Sequence, residues 1–166
     1  MDLPFLRDYA GQTTTELLAL DQTYRTDSIV LRFEEGLGQK AARLGDDALS
    51  TPERVVLVIE AVERAVNSDG YWGLFANEAE YVPDVVSALE AIGAGTAADL
   101  TGQAIDELRI DERLTAEAVE LAIAHDDEAR DARLDDLGQQ YYEKVGDLSE
   151  PLLVYIRENR DQIILP

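Results

Sequence analysis

Carboxylates are the one reactive group this chain holds in quantity: 35 Asp and Glu stand against 14 Lys and Arg and a single His, a formal net charge of -21 on 166 residues. Between Asp99 and Glu150 there are 16 acids and 5 bases, a net of -11, so over half of the excess falls in under a third of the chain. On a helix, side chains at offsets of three, four and seven form rows about 5 to 6 Å apart. By that spacing Asp99 with Asp106, Glu117 with Glu120, and the run Asp126, Asp127, Glu128, Asp131, Asp135 and Asp136 are the candidate partner-binding residues. Such rows could share protons or metal ions, or they could hold a cationic surface. Carboxylate pairs are so abundant that no acid/base dyad stands out by separation.

Other reactive groups are sparse. His125-Asp126-Asp127-Glu128 has nitrogen and oxygen ligand types but lacks the H-E-x-x-H or E-x-x-H spacing that gathers ligands on one helix face, so no metal site is expected. With no cysteine, disulfides, thiolate catalysis and Cys-ligated zinc are excluded. No G-x-S-x-G segment offers a nucleophile. Gly36-Leu37-Gly38-Gln39-Lys40 lacks the P-loop spacing, and Gly93-Ala94-Gly95 reads as helix termination. The expectation is a protein without catalysis and without a cofactor.

A hydrophobic content of 46% separates the chain from disordered acidic tails, which cannot bury enough surface to offset chain entropy. A folded particle of this charge repels nucleic acid and anionic membranes and attracts basic proteins. At one phosphate per roughly 1.7 Å of duplex, 21 excess charges correspond to about 36 Å of DNA, close to the breadth of roughly 40 Å expected of a domain this long. The competing source of acidity is solvent or genome composition, because twelve of the fourteen cations are Arg. The N-terminus shows no basic stretch followed by an apolar one, and no apolar run approaches a membrane span, so a cytoplasmic protein is expected.

The elements that must position these acids are helical. Ser50-Thr51-Pro52-Glu53 reads as a capping box, and Val55, Ile59, Val62 and Val66 follow at a 3.6-residue period, giving a central buried helix at about 51–67 with Glu53, Glu60 and Arg64 as its polar strip. Asn67-Ser68-Asp69-Gly70 supplies a stop, and Tyr71, Trp72, Leu74 and Phe75 pack beyond it. Further helices are expected after Pro83 (Val85, Val86, Leu89, Ile92), from a cap at Thr96 (Leu100, Ala104, Ile105, Leu108) and from a cap at Thr115 (Val119, Ala122, Ile123). Others run through Leu134, Leu137, Tyr141 and Val145, and from Pro151 through Leu152, Tyr155 and Ile156. Upstream, Ile29, Phe33, Leu37 and Leu44 allow a helix over about 27–44. No segment alternates as a hairpin does. The fold class is therefore all-α, with residues 1–26 as an N-terminal helical extension and 27–166 as one globular unit.

Val66-Asn67-Ser68-Asp69-Gly70-Tyr71-Trp72-Gly73-Leu74-Phe75-Ala76-Asn77 resembles the Val-Asn-Asn-Gly-Gly-Phe and Phe-x-Asn segment of the DNA-mimic protein C-terminal domain family. Leu49 to Arg54, Tyr81 to Ala94, Leu134 to Tyr142 and Tyr155 to Asn159 are similar to it as well, so the resemblance spans about 27–162. Ser68 and Asp69 depart from the family's usual Asn and Gly, while Gly70 is kept. The resemblance implies an all-helical domain without catalysis whose partner is a basic DNA-binding protein, such as a helix-turn-helix transcription regulator, with no direct contact to nucleic acid. Asn67 and Asn77 are expected to bond backbone around the bend. The alternative is a toxin-immunity or regulatory adaptor protein anchored on Tyr71 or Trp72.

Overall fold

The structure is a computed structural model that describes residues 2–166. Among these residues lie eight α-helices and no strand: α1 Thr14–Leu18, α2 Thr26–Leu44, α3 Thr51–Asn77, α4 Val82–Ala91, α5 Gly95–Asp106, α6 Ala116–Ile123, α7 Glu128–Lys144 and α8 Ser149–Glu158. The all-α class expected from the sequence is the one observed. Contacts divide the chain into two compact units. One runs to Glu60 and takes in Ser149–Pro166; the other is Ala61–Leu148, so the boundary falls inside α3.

In the first unit α2 packs against α1 and α8, burying Leu17, Ile29, Phe33, Leu37, Leu152 and Ile156. Leu44, expected on the buried stripe of α2, is instead 67% exposed, because it lies in the last turn next to Gly45. The capping box at α3 is present: Ser50 Oγ accepts from Glu53 N at 3.2 Å, and the Glu53 carboxylate accepts from Ser50 N at 2.9 Å. Two residues of the expected polar strip behave otherwise, for Glu53 and Glu60 are both buried. Glu53 tolerates burial because Lys40 Nζ donates to it at 2.8 and 2.9 Å and Ile164 N at 2.7 Å. Those partners lie far away in sequence, which hides the site from a helical pattern. The C-terminal segment is tied down along the same surface: Thr14 Oγ1 donates to Ile163 O at 2.5 Å, Ser50 Oγ to Gln162 O at 2.7 Å and Tyr9 OH to Pro166 O at 2.9 Å. At Gly36 a Cβ would stand 3.1 Å from both Leu165 and Tyr9, so this glycine leaves room for the segment to cross α2.

In the second unit the expected stop at Gly70 is a kink rather than an end. Gly70 takes φ 67°, ψ −166°, a region open essentially to glycine alone, and helical hydrogen bonding resumes and carries α3 to Asn77. Tyr71, Leu74 and Phe75 are buried beyond it, whereas Trp72 is 45% exposed. α4 buries Val82, Val85, Ala88 and Leu89, with Val86 half-buried. It ends in a Schellman closure, Ala94 N donating to Leu89 O and Gly93 N to Glu90 O around Gly93 at φ 77°. α5 then starts at Gly95 with Ala94 as N-cap and no side-chain cap, so Thr96 lies inside the helix and does not begin it. That immediate restart follows from the Schellman turn, which already sets the direction of the next helix.

The centre of this unit is aromatic and polar. Tyr71 and Tyr141 meet edge to face at 6.0 Å, Tyr71 stacks on Phe75 at 6.4 Å, and Tyr71 OH shares a 3.0 Å hydrogen bond with Thr101 Oγ1. Burial pushes the Tyr71 hydroxyl up to about 12, against the lowering effect of Thr101. Tyr141 OH donates to Glu63 Oε1 at 2.6 Å; burial first, then the Glu63 charge, raise its pKa strongly. Burial also raises the Glu63 carboxyl, against hydrogen bonds from Tyr141, the Leu148 backbone and Asn67.

Candidate functional site

Eight of the ten carboxylates singled out in the sequence are exposed: Asp99, Asp106, Glu117, Glu120, Asp126, Glu128, Asp135 and Asp136; Asp127 and Asp131 are half-buried. All ten lie in the second unit, on α5, α6, α7 and the bend before α7. Asp99 and Asp106 are seven residues apart on α5, roughly 10 Å along its axis. Glu117 and Glu120 follow the Thr115 cap of α6, whose hydroxyl accepts from Ala118 N at 3.1 Å. On α7, Glu128, Asp131 and Asp135 share one row at offsets of three and seven.

The junction of α6 and α7 is held by Arg130, which no helical pattern in the sequence singles out. Arg130 is only 5% exposed. Its Nη1 donates to Ala122 O at 2.8 Å, its Nη2 to His125 O at 3.0 Å and its Nε to Asp131 Oδ1 at 2.9 Å. One guanidinium thus satisfies carbonyls at the end of α6 and anchors the first turn of α7, as cations near helix C-termini do. Asp127 caps α7, its Oδ1 accepting from Arg130 N at 2.9 Å. That backbone bond is the main reason its carboxyl sits below its ordinary value, helped by the charges of Arg130, Arg109 and Arg133. The clue in the sequence is an arginine three residues past Asp127, a residue type that caps helices, just after the end of another helix. His125 is exposed and gives the junction only its backbone carbonyl.

α5 packs directly on α7. Between them opens a cleft of about 330 Å³ lined by Gln103, Asp106, Glu107, Arg133, Asp136, Leu137 and Gln140, which brings Asp106 and Asp136 to one depression. Arg133 there is bonded to Glu107 through its Nε, and Asp136 accepts from Gln140 Nε2 at 2.8 Å. Asp99, Asp106, Glu117, Glu120, Asp126, Glu128 and Asp135 have no paired cation among the described residues. Ala61–Leu148 has 21 acids and 6 bases, net -15, while the rest of the chain has 14 and 8, net -6.

The sequence model of the DMP19-like protein family matches residues 47–159. The chain belongs to that family. The match is shorter than the span suggested by resemblance, leaving out α2, but it covers α3 to α8 and all ten candidate carboxylates. It also covers the kink, where Gly70 keeps the conformation only glycine holds while Ser68 and Asp69 are exposed ahead of it. Of the two asparagines, both exposed, Asn67 bonds the Glu63 side chain. DMP19-like means DNA mimic protein 19-like, and such a family implies a protein-binding role in place of catalysis. No curated protein and no solved structure matches the chain. Among the described residues no helix is long and apolar enough to cross a membrane.

Proposed function

We propose that this protein is a DNA mimic that occupies the basic surface of a DNA-binding protein, of which a helix-turn-helix transcription regulator is the leading candidate. The observation that carries the reading is the set of seven exposed carboxylates without a paired cation, five of which (Glu117, Glu120, Asp126, Glu128 and Asp135) stand on or between α6 and α7, whose ends are fixed by the Thr115 and Asp127 caps and by Arg130. Charges already held in place lose little conformational entropy on contact, so a cationic face gains more from them than from a flexible acidic tail. The carboxylates Asp99, Asp106, Glu117, Glu120, Asp126, Asp127, Glu128, Asp131, Asp135 and Asp136 act in this account as stand-ins for phosphates. Asp127 and Asp131 also serve the helix junction.

An affinity capture from cell extract at low ionic strength, eluted in parallel with salt and with duplex DNA, tests the reading. The expected result is a DNA-binding protein released by both. Capture of a partner that neither eluent releases contradicts it and favours the adaptor or immunity reading, for which Trp72 is the available anchor because Tyr71 is fully buried. A melting series across salt tests the compositional source of the acidity: unfolding unless molar salt is present would support that source.

A further inference from the structure

Asp106 and Asp136 stand apart from the outer carboxylates, because they line one cavity, the cleft of about 330 Å³ between the end of α5 and the middle of α7. That volume is at the lower end of what holds a small molecule, so the cleft admits one long side chain and not a helix. The groups along it divide into those already satisfied and those left open. Arg133, the cation in the cleft, is spent on Glu107. Gln140 is spent as well: its Oε1 accepts from Lys144 Nζ at 3.0 Å and its Nε2 donates to Asp136 Oδ2 at 2.8 Å. This relay along α7 holds the Asp136 carboxylate in place and leaves its Oδ1 open. On the opposite wall the side chains of Asp106 and Gln103 have neither a hydrogen bond nor a cation among the described residues. Leu137, 7% exposed, is the apolar part of the lining. α5 also ends here without a basic residue in its last turn, so the negative end of its dipole adds to the field of the two carboxylates.

We infer that the α5–α7 cleft is a pocket for one arginine side chain of the basic partner, taking the place of a base edge where the outer carboxylates take the place of phosphates. The inference rests on the mimicry reading for the existence of that partner and adds where its arginine goes. An arginine that reads DNA sets its fork on the two acceptors of a guanine edge, and a carboxylate presents two acceptors to the same fork. In the cleft Asp106 supplies that pair, Asp136 Oδ1 a further acceptor from the other wall, and Leu137 a surface for the methylenes. A guanidinium is more weakly hydrated than an ammonium and gives up its water more readily, which selects arginine over lysine. Binding energy concentrates in pockets that exclude water, whereas charges in open solvent each contribute little. Asp106 and Asp136 therefore outweigh outer carboxylates such as Glu117 and Glu120.

The experiment titrates the full-length protein at low salt with oligoarginine and with oligolysine peptides of equal length, following heat of binding and the NMR signals of the glutamine side-chain amides. Oligoarginine is expected to bind more tightly than oligolysine and to move the Gln103 and Gln140 signals more than that of Gln139, which lies on α7 outside the cleft. Asp106→Asn with Asp136→Asn should weaken oligoarginine binding about 30-fold. Glu117→Gln with Glu120→Gln removes the same charge and should weaken it only a few-fold. Gln103→Trp fills the cleft without altering any charge. Because Gln103 is exposed, that variant should melt near the parent while losing affinity as the Asp106 and Asp136 pair does. Parent-like binding by Gln103→Trp, equal losses from the two double variants, or equal binding of the two peptides overturns the pocket and leaves the acidic surface standing. Failure of both peptides to bind overturns the pocket together with the mimicry reading.

Discussion

The two units of this chain use carboxylates in opposite ways. In the first, cations and anions are closer to balance and acids are spent on architecture: Glu53 is buried against Lys40, Asp21 binds Arg157 at 2.7 Å, and Asp27 binds Arg25 at 2.5 Å. In the second, 21 acids face 6 bases, and two of those bases are committed to holding helices, Arg130 across the α6–α7 junction and Arg133 onto Glu107. The difference shows that net charge alone says little. What makes a carboxylate available to a partner is the lack of an internal cation together with a stiff backbone beneath it.

The largest expected effect lies in the balanced unit. Replacing Lys40 by Met leaves Glu53 buried without its cation, a change that costs about 3 to 5 kcal/mol. Chemical denaturation should show that loss. A variant as stable as the parent would mean that Glu53 is not the architectural carboxylate described here. Gly70→Ala comes next, since a backbone held in a glycine-only region costs about 1 to 3 kcal/mol once a Cβ is present. Nothing stands within 4 Å of that Cβ, so any loss measured by thermal melting comes from backbone strain and not from a clash.

Smaller effects depend on pH. Burial raises the Glu63 carboxyl above its ordinary 4.5, so its protonated form is favoured by folding. That contribution is whole below the ordinary value and is lost as pH rises through the folded one. Glu63→Gln keeps an acceptor for Tyr141 without the charge. It should melt above the parent at neutral pH, with the gap closing as the solution is acidified; a gap independent of pH would show that charge is not the cause. Asp127 runs the other way. Its carboxyl is held below 3.8, so it stabilises above that ordinary value and stops doing so as pH falls through the folded one. Asp127→Ala should lower the melting temperature slightly at neutral pH and not at all in strong acid.

Much of this organisation was legible in the sequence because it is local. The capping box at Ser50 and Glu53, the Thr115 cap and the buried stripe Leu134, Leu137 and Tyr141 are each set by residues within a few positions of one another and are found as expected, whereas Val145, expected to continue that stripe, is half-buried just past the end of α7. The exposed acids of α5 to α7 follow from the same helical period. What could not be read depends on distant pairing. Burial of Glu53 requires Lys40 and Ile164, and Arg130 acquires its role only when the end of α6 comes to meet it. Gly70 shows a different limit. Its type announced the unusual backbone, yet whether the helix stopped or merely bent was decided by the packing of Tyr71 and Phe75 beyond it.

The most direct test of phosphate mimicry is the affinity of the captured partner, measured across a series of salt concentrations with and without competing duplex DNA. Mimicry predicts that the logarithm of affinity falls steeply with the logarithm of salt concentration, that DNA and this protein exclude one another, and that Asp106→Asn with Asp135→Asn and Asp136→Asn flattens the slope. A complex whose affinity is indifferent to salt, and which forms equally well on DNA-bound partner, would contradict it.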